Sequence, residues 1–406
     1  MPIGPGYREP QPERPRQMMA LPPNKPRITR RYRGRNLPIT ARDRLQSEPS
    51  SFSSLPFVLP ARDRERAVIS TCANHADEDF LARDVLGSRS RFPGEGEGEG
   101  EGMFHTVLVP LDGSAFAEQA LPWAAMIAGR AGANIELVRE HVLYALSDPA
   151  ASWLPFDRAR DREWQQQEQH YLDTTADWLA RATSASVHPQ MVKGLEADGI
   201  LERIRTGGAD LVVMAAHAGS LTGCVVHGSV ANPLIRKAAV PVLLIRSGSQ
   251  PLEHVEIDTG PHVDRIIIPL SGSALSEKVL EPAIALGQLL DVPCTLLRVI
   301  TPPKIPADFA PLGGRVPRLE QAHACSYLES LARRAQEQGL HVNARVVVGT
   351  DAATAVLETI GEGDLIALAT HGFTGLQRLL PGSVADRLIR SAVNPVLVYR
   401  PSKMTT

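Results

Sequence analysis

The strongest constraint on the fold is an internal duplication. The first copy opens with Thr106-Val-Leu-Val-Pro-Leu-Asp-Gly-Ser-Ala115, and the second copy opens with Arg265-Ile-Ile-Ile-Pro-Leu-Ser-Gly-Ser-Ala274. The later parts match as well, because Asp210-Leu-Val-Val-Met-Ala-Ala-His217 corresponds to Asp364-Leu-Ile-Ala-Leu-Ala-Thr-His371. Each copy is far longer than the repeat unit of a solenoid, so the pattern indicates two domains of one fold.

Each copy alternates two kinds of segment. Short, continuously apolar runs such as Ile135–Arg139 and Cys294–Val299 are typical of parallel strands that are covered on both faces. Stretches with apolar residues at helical spacing, such as Arg162–Ala182 and Leu319–Glu337, predict amphipathic helices between them. The alternation predicts an α/β fold, in which each copy is a five-stranded, doubly wound parallel sheet with helices on both faces.

The closing segments of the two copies predict how the copies associate. Val242–Ile245 and Val396–Tyr399 are apolar, and an uncovered edge strand of that kind is prone to pair with another strand. We therefore predict that the two segments pair with each other and form a pseudo-dimer within one chain. The predicted domains are residues 103–248 and 263–401, joined by a linker over 249–262 and followed by a tail over 402–406.

Residues 1–102 precede the duplication and differ from it in composition. Residues 1–44 contain 11 Lys and Arg against 3 Asp and Glu, with many prolines, and this composition predicts disorder. From Gly94 to Gly102 the sequence alternates strictly between Gly and Glu, which is typical of a flexible linker. Because Gly and Glu codons are purine-rich, the repeat also resembles a translated ribosome-binding region. Our hypothesis is that Met103 is the true start.

Composition excludes several functional classes. The net charge of −2 argues against a nucleic-acid-binding role for the whole chain, and the absence of a run of 18 apolar residues argues against a membrane span. The cysteines are scattered, which disfavours a disulfide framework or a zinc ribbon and predicts a reducing, cytoplasmic location. They are Cys72, Cys224, Cys294 and Cys325. The sequence shows no motif of a catalytic site, so we predict that the protein is not an enzyme.

In doubly wound sheets, ligands bind beyond the carboxyl ends of the strands. Three loops of each copy are expected there: the loop after the first strand, the loop after the second strand, and a Gly-Ser pair that precedes the last helix. Gly382 and Ser383 form this pair in the second copy, and Gly228 and Ser229 form it in the first. Backbone amides at the start of a helix favour an anion, and the serine hydroxyl either caps the helix or binds phosphate.

With these features the sequence resembles the universal stress protein family in its tandem-domain form, over residues 103–401. The family signature is Gly-x-x-Gly, nine residues and then Gly-Ser or Gly-Thr. The second copy has Ala369-Thr-His-Gly372, the nine residues Phe373–Pro381, and then Gly382 and Ser383. The first copy has Ala215-Ala-His-Ala218 before the corresponding Gly-Ser pair, so alanines replace both leading glycines.

The resemblance implies a Rossmann-like fold, dimerisation through the last strand and, in one branch of the family, bound ATP with Mg²⁺. It also implies that the signature amides hold phosphates and ribose, and that an aspartate after strand one and an apolar residue after strand two lie near adenine and ribose. The first copy has Asp112 and Glu140 at these two places, and the second copy has Ser271 and Val299. The candidate nucleotide-binding residues are Gly372, Gly382, Ser383, Val384, Val299, Ser271, Ala369, Asp112, Gly228 and Ser229.

Structural roles compete with these assignments. The two Gly-Ser pairs either contact nucleotide or only cap helices, and Asp112 either contacts ligand or forms a turn with Gly113. The remaining polar residues near the strand ends are predicted to serve structure. His217 and His371 are predicted to pack loops, Asp210 and Asp364 to form turns, and Cys224 to fill space.

The predicted function is that of a cytoplasmic stress-response protein that binds ATP as a regulatory ligand, mainly in the second copy. Gly372 lets backbone approach a ligand there, whereas the β-carbon of Ala218 restricts this approach in the first copy. The alternative is a nucleotide-free protein-interaction module of the same fold, and assembly into homo-oligomers stays open. The third hypothesis is a slow ATPase, or self-phosphorylation at Ser229 or Ser383.

Overall fold

The computed structural model describes nine stretches of the chain, all within one compact unit, Arg64–Thr406. These stretches are residues 68–71, 102–142, 157–195, 197–217, 230–247, 260–302, 315–337, 339–370 and 383–401. Within them, eleven strands form one continuous sheet. The strands are β1 (Val68–Thr71), β2 (Thr106–Pro110), β3 (Asn134–His141), β4 (Val187–Lys193), β5 (Leu211–His217), β6 (Val242–Ser247), β7 (Arg265–Pro269), β8 (Cys294–Ile300), β9 (Val342–Val348), β10 (Asp364–Ala369) and β11 (Val396–Tyr399).

Helices connect successive strands and cover both faces of the sheet. The described helices are α1 (Leu121–Ala131), α2 (Arg158–Ala182), α3 (Asp198–Gly207), α4 (Ala231–Lys237), α5 (Ala274–Glu277), α6 (Leu280–Leu290), α7 (Arg315–Gln336), α8 (Ala352–Thr359) and α9 (Val384–Ser391), with a turn of 3-10 helix over Ala117–Ala120. The long helices α2 and α7 confirm the two helices predicted from apolar spacing. Helix α2 begins one turn earlier than predicted because Asp157 caps it, accepting a hydrogen bond from the Ala159 N–H at 2.9 Å.

Alternate residues of each strand pack into different cores. Val107 and Val109 of β2 belong to one hydrophobic core together with Leu121 of α1. Leu108 belongs to the other core, together with Leu234 of α4. This period-two alternation with apolar residues on both faces is the physical reason for the continuous Val, Ile and Leu runs of the sequence.

The strand order is the same in both copies. The first copy runs β4-β3-β2-β5-β6 and the second runs β9-β8-β7-β10-β11, and all neighbours within a copy are parallel. The structure thus confirms two consecutive Rossmann-like domains, each with a five-stranded parallel sheet. In the first copy the strands after β2 are added on one side of it, β3 and then β4, and the next strand, β5, is added on its other side. The strand order therefore reverses between β2 and β5, and likewise between β7 and β10 in the second copy. Crevices for ligands form at such switch points.

The two copies join through their last strands, as predicted. β6 and β11 pair antiparallel, so that Val396 lies opposite Leu244, Leu397 opposite Leu243 and Val398 opposite Val242. All six side chains are buried. We call this β6–β11 pairing the central seam, and because of it the two parallel sheets form one continuous sheet.

Arginines reinforce the central seam from both sides. Arg246, at the end of β6, donates hydrogen bonds to the backbone oxygens of Ala216 and of Ile389 in α9 of the second copy. Arg400, which follows β11, donates to the backbone oxygen of Lys237 at the end of α4 in the first copy, at 3.0 Å. The carbonyls of Ile389 and Lys237 lie in the last turns of their helices and lack intrahelical partners, so these contacts satisfy them. Burial lowers the pKa of Arg246 to about 10.

The two outer ends of the sheet differ. At one end, Val68–Thr71 forms β1 and pairs antiparallel with β9, with Val68 opposite Val348 and Thr71 opposite Arg345. These four residues therefore differ from the disorder predicted for the N-terminal extension, because a run of mainly β-branched residues suits an edge strand. At the other end, β4 is the last strand among the described residues, and it contains Pro189, which cannot donate to a further strand. The hypothesis that Met103 is the start stays a prediction.

Candidate functional site

The loop after the first strand of each copy, which we call loop one, forms a tight turn. In the first copy, Asp112 Oδ1 accepts hydrogen bonds from the Ser114 N–H at 2.9 Å and from the Ser114 hydroxyl at 2.5 Å. Gly113 between them has a φ of +82°, a conformation that favours glycine. Asp112 thus forms the turn that was one of its two predicted roles, and its exposed carboxylate places a negative charge at the switch point.

Loop one of the second copy has the same turn without the charge. The hydroxyls of Ser271 and Ser273 lie 2.9 Å apart, and Gly272 has a φ of +79°. Ser273 Oγ also accepts a hydrogen bond from the Ser276 N–H at 3.2 Å, which caps the short helix α5. A neutral pair of hydroxyl groups thus replaces the carboxylate of Asp112.

Glu140 and Val299 occupy equivalent positions near the ends of β3 and β8. Glu140 lies opposite Val192 in the neighbouring strand, and Val299 lies opposite Val347. A glutamate thus stands in the first copy at the position of Val299 in the second; that this position borders a ligand stays a prediction. The carboxylate of Glu140 accepts hydrogen bonds from Ala197 N at 2.9 Å.

A difference in helix capping explains Glu140. In the first copy the residue before α3 is Ala197, whose side chain cannot cap, and Glu140 instead accepts from the Gly199 N–H at 2.8 Å. In the second copy the residue before α8 is Asp351, which accepts from the Thr354 N–H at 2.8 Å. Because Asp351 caps its own helix, the second copy needs no carboxylate at Val299.

The third loop leads into α9. Ser383 is the N-cap of this helix, and its Oγ accepts a hydrogen bond from the Asp386 N–H at 3.1 Å. The capping role of Ser383 is therefore present. Val384 follows as the first helical residue and is 40% exposed, and Ala369 ends the neighbouring strand β10. The remaining predicted residues of this loop and of its counterpart lie outside the described residues; they are Gly372, Gly382, His371, Ala218, Cys224, Gly228 and Ser229.

Asp210, which precedes β5, and Asp364, which begins β10, lie at the opposite edge of the sheet. Asp210 Oδ2 accepts from the backbone N–H groups of His105 at 2.8 Å and Thr106 at 3.0 Å, which fixes the start of β2. Asp364 accepts two hydrogen bonds of 2.8 Å from the guanidinium of Arg265. Both carboxylates organise strand starts and lie away from the switch points.

A stacked group of three side chains supports loop one in the first copy. The Arg139 guanidinium lies over the Tyr171 ring, 5.6 Å from its centroid, and the Tyr171 hydroxyl donates to Glu118 Oε1 at 2.8 Å. Burial raises the pKa of Tyr171, and the hydrogen bond to Glu118 adds to the shift. A β-carbon on Gly113 would lie 2.7 Å from Arg139 Nη1, so the guanidinium packs directly beneath the turn.

The second copy repeats this stack. The Arg298 guanidinium lies 5.9 Å from the centroid of the Tyr327 ring, and the Tyr327 hydroxyl donates to Glu277 Oε1 at 2.8 Å. A β-carbon on Gly272 would clash with the guanidinium, as in the first copy. Sequence reasoning noted the matching glutamates but missed the arginines and tyrosines. The signal available in the sequence was an arginine at the same place near the end of each second strand, followed by Glu140 in the first copy and by Val299 in the second.

The surroundings of the two arginines differ. Arg139 donates to Glu168 Oε1 at 3.1 Å, and Glu168 Oε2 lies 2.6 Å from His141 Nδ1. Asp161 Oδ1 lies 3.5 Å from the other ring nitrogen of His141, which completes a buried ionic cluster. Among the described residues, no group of three or more potential ligands is arranged to hold a metal ion, here or elsewhere.

No such cluster surrounds Arg298 among the residues that the structure describes. Ala324, three residues before Tyr327, stands where Glu168 precedes Tyr171, and Ile300 stands where the first copy has His141. Arg298 Nη1 is shielded from solvent and has no hydrogen-bond partner in the part of the chain that the structure describes. Among the described residues, Arg298 therefore has no counterpart of the Arg139–Glu168 contact.

Comparisons with known proteins agree with this architecture. The model of the "Universal stress protein family" matches residues 103–246 and 262–400. A universal stress protein of Mycobacterium tuberculosis is 26% identical over 304 residues, which cover 73% of this chain and 98% of that protein. A universal stress protein of Mycolicibacterium smegmatis is 25% identical and is covered to 97% of its length.

A solved structure shares the fold over the same region. The crystal structure of a universal stress protein from Archaeoglobus fulgidus superposes with a TM-score of 0.53 at 16% identity, covering 73% of this chain and 98% of that one. This likeness concerns the fold alone. The two family matches span most of the chain, and the duplicated strand order and signature spacing agree with them. The chain therefore belongs to the universal stress protein family, with two domains of that family in tandem.

Proposed function

We propose that this stress-response protein binds ATP as a regulatory ligand, and that the second copy is the main binding domain. The observation that carries the proposal is a difference in charge at equivalent positions of the two switch points. Asp112 and Glu140 are carboxylates in the first copy, whereas Ser271 and Val299 are neutral in the second. The Glu140 carboxylate repels an anionic ligand and the Val299 side chain does not, whereas the family resemblance places an aspartate, as at Asp112, near the ribose rather than the phosphates.

The residues of the second copy fit a nucleotide in three respects. Val299 provides an apolar wall because Asp351 caps α8 in its place. Ser271 provides a hydroxyl without a charge, and Arg298 provides a guanidinium that lacks an internal carboxylate. By the family resemblance, the amides around Gly372 and Gly382 hold the phosphates, and Ser383, Val384 and Ala369 border them. Mg²⁺ would be carried on the phosphates and would supply charge neutralisation there.

The first copy fits a nucleotide less well. Both Glu140 carboxylate oxygens already accept backbone hydrogen bonds from the start of α3, so this side chain is held at the place where the second copy has Val299. Moving Glu140 would leave the amides of Ala197 and Gly199 without partners. The first copy therefore resists rearrangement around a ligand.

The primary test is calorimetric titration of the full chain with ATP and Mg²⁺. Gly372→Val and Gly382→Val replace signature residues of the second copy and should each abolish most binding. The matched control, Gly228→Val in the first copy, should have a smaller effect. Circular dichroism shows whether each variant is folded. Equal losses from both copies would refute the asymmetry, and unchanged binding in all three variants would refute the site.

A second pair of variants tests the charge difference itself. Val299→Glu places the carboxylate of the first copy into the second and should lower ATP affinity by at least about tenfold, since one unscreened like charge near a phosphate costs more than about 1.4 kcal/mol. Glu140→Gln removes the corresponding charge from the first copy and should leave the main binding event in place. Equal affinities for both variants would contradict the proposal.

The alternative is a nucleotide-free interaction module of the same fold. The two are distinguished by whether the purified protein carries adenine nucleotide, measured by chromatography of a denatured extract. Slow ATP hydrolysis or self-phosphorylation at Ser383 or Ser229 is the third candidate, and incubation with labelled ATP tests it. The domain bounds 103–248 and 263–401 and a cytoplasmic location belong to the same proposal. None of the described helices has the length and hydropathy needed to cross a membrane.

A further inference from the structure

Arg298 is a charged residue near the switch point of the second copy that has no carboxylate partner among the described residues. It precedes Val299 in β8 and therefore points to the opposite face of the sheet, beneath loop one. Its guanidinium fills the space next to Gly272 that a β-carbon would occupy, and it stacks on Tyr327. A cation is thus held directly behind the Ser271-Gly272-Ser273 turn.

The described residues give Arg298 no carboxylate in the position that Glu168 has beside Arg139. No carboxylate forms an ion pair with Arg298 among them, and Nη1 is shielded from solvent without an acceptor. Charged donors that lose water without gaining a partner are strongly destabilising, so such groups are normally paired. In the first copy Glu168 accepts a hydrogen bond from Arg139 Nη2 at 3.1 Å, so that guanidinium has a carboxylate partner although its Nε is shielded without an acceptor.

The missing partner can be traced to a single position. Tyr171 and Tyr327 anchor the two stacks identically, and the residue three positions earlier is Glu168 in one copy and Ala324 in the other. Ala324 is buried and has only a methyl side chain, so no polar group takes the place of the glutamate. The small side chain leaves the guanidinium without its internal acceptor.

We propose that Arg298 binds an oxyanion of the ligand, and that the phosphate chain of a nucleotide takes in the second copy the role that Glu168 has in the first. The planar guanidinium offers several parallel N–H donors, which match the oxygens of a phosphoryl group. This inference rests on the proposed function for the identity of the nucleotide and deepens it. Arg298 then makes the second copy specific for phosphorylated over unphosphorylated ligands.

The test restores the glutamate of the first copy to the second. Ala324→Glu should pair with Arg298 and compete with the ligand, while Ala324→Gln has nearly the same size without the charge and serves as the matched control. The probes are ATP, adenosine and inorganic pyrophosphate, titrated calorimetrically into the full chain. We expect Ala324→Glu to weaken ATP and pyrophosphate binding by at least about tenfold relative to Ala324→Gln, which is about 1.4 kcal/mol. Adenosine binding should change by less than about twofold.

Substitution of the arginine itself provides an independent measurement. Arg298→Met should weaken ATP binding as much as Ala324→Glu does, and combining the two changes should cause no further loss because both remove the same interaction. Arg298→Lys should recover only part of the affinity, since an ammonium lacks the planar fork. This series decides the question if Ala324→Glu does not fold, as judged by circular dichroism.

The outcomes separate this inference from the proposed function. If ATP binds and its affinity is the same in Ala324→Glu and Ala324→Gln, or is unaffected by Arg298→Met, the inference is wrong and the proposed function stands. If pyrophosphate binds through Arg298 while ATP does not bind at all, the proposed function is wrong and the oxyanion site stands. If neither probe binds to the unmodified protein, both are wrong.

Discussion

The two copies share strand order, register and helix placement, yet their switch points have opposite electrostatic character. The first copy neutralises its cation internally, through the contact of Arg139 with Glu168, and directs the Glu140 carboxylate onto backbone amides. The second copy has Ala324 and Val299 at those two places. The fold alone therefore does not determine what a switch point binds. It depends also on a few side chains that either pair with the charged and polar groups beside them or leave those groups unpaired.

Helix capping links structure to site in this comparison. Asp351 caps α8 in the second copy, whereas Ala197 leaves the equivalent helix without a local cap. The first copy compensates with Glu140, a residue from a distant strand. When the residue before this helix cannot cap it, as with Ala197, the cap comes from Glu140 in the neighbouring strand. Because Glu140 lies in the wall of the ligand crevice, a change at the helix start also changes the charge of the crevice.

The largest predicted effect concerns the central seam, which makes the two copies one unit. Leu397→Asp places a charge where the side chain is fully buried, opposite Leu243, and should lower the free energy of unfolding by more than about 4 kcal/mol. Urea unfolding followed by circular dichroism measures this loss. Val393→Asp, at a position that is 75% exposed, should change stability by less than about 0.5 kcal/mol. Similar values for the two variants would mean that the copies do not depend on their shared seam.

The next effect concerns the ionic cluster that the second copy lacks. Glu168→Ala leaves the buried His141 and the partly buried Arg139 without their shared acceptor and should cost about 3 kcal/mol of stability. Glu163→Ala, on the same helix and exposed, should cost less than about 0.5 kcal/mol. Urea titrations of both variants give the comparison. A small loss in Glu168→Ala would show that the cluster is not what stabilises the first copy.

Much of the fold follows from the sequence, because the hydrophobic periodicity of each segment and the duplication can both be seen without knowing which distant residues touch. The repeated strand openings predict the sheet, and the apolar segments Val242–Ile245 and Val396–Tyr399 predict the central seam that the structure confirms. The strand β1 was not predicted because its four residues gain stability only by pairing with β9, far along the chain. No local pattern reports such a contact.

The candidate site was less predictable for the same reason. Glu140 contacts amides 57 and 59 residues away, so its capping role is visible only once β3 and α3 are placed side by side. Comparing the two sequences does not reveal it, because Ala197 and Asp351 are related only as the residues that precede their helices in the structure. Likewise, Arg298 lacks the partner that Arg139 has because Ala324 takes the place of Glu168, and sequence alone does not show that the helix of Ala324 packs beside β8.

A smaller effect is expected where the two ends of the sheet differ. A chain that begins at Met103 lacks β1 and exposes β9, which should cost about 1–2 kcal/mol for four cross-strand pairs and promote self-association. A chain that begins at Arg64 retains β1 and is the matched control. Sedimentation and urea unfolding compare the two. The same oligomeric state and the same free energy of unfolding for both chains would mean that β1 does not protect the edge. Mass spectrometry of the native N-terminus shows which chain exists.

The smallest effect concerns the cap that distinguishes the two crevices. Asp351→Ala should cost about 1 kcal/mol, because the first turn of α8 loses the acceptor of the Thr354 N–H. Asp351→Asn retains the cap and loses only the half-exposed ion pair with Arg387, so it should cost less than about 0.5 kcal/mol. Hydrogen bonds from Thr354 hold the pKa of Asp351 below its ordinary value. Its contribution is therefore complete above pH 4 and is lost as the pH falls through the lowered pKa of the folded state.

A double variant joins this cap to the ligand crevice. Adding Val299→Glu to Asp351→Ala gives the second copy the arrangement of the first, in which Glu140 caps from the strand next to Ala197. The double variant should recover about half of the 1 kcal/mol that Asp351→Ala loses. It should also lose ATP binding, because the new carboxylate lies where the ligand needs an apolar wall. Urea unfolding measures the first effect and calorimetry the second. Recovery of the cap with ATP affinity unchanged would show that the two properties are independent and that the charge of Glu140 does not explain why the copies differ.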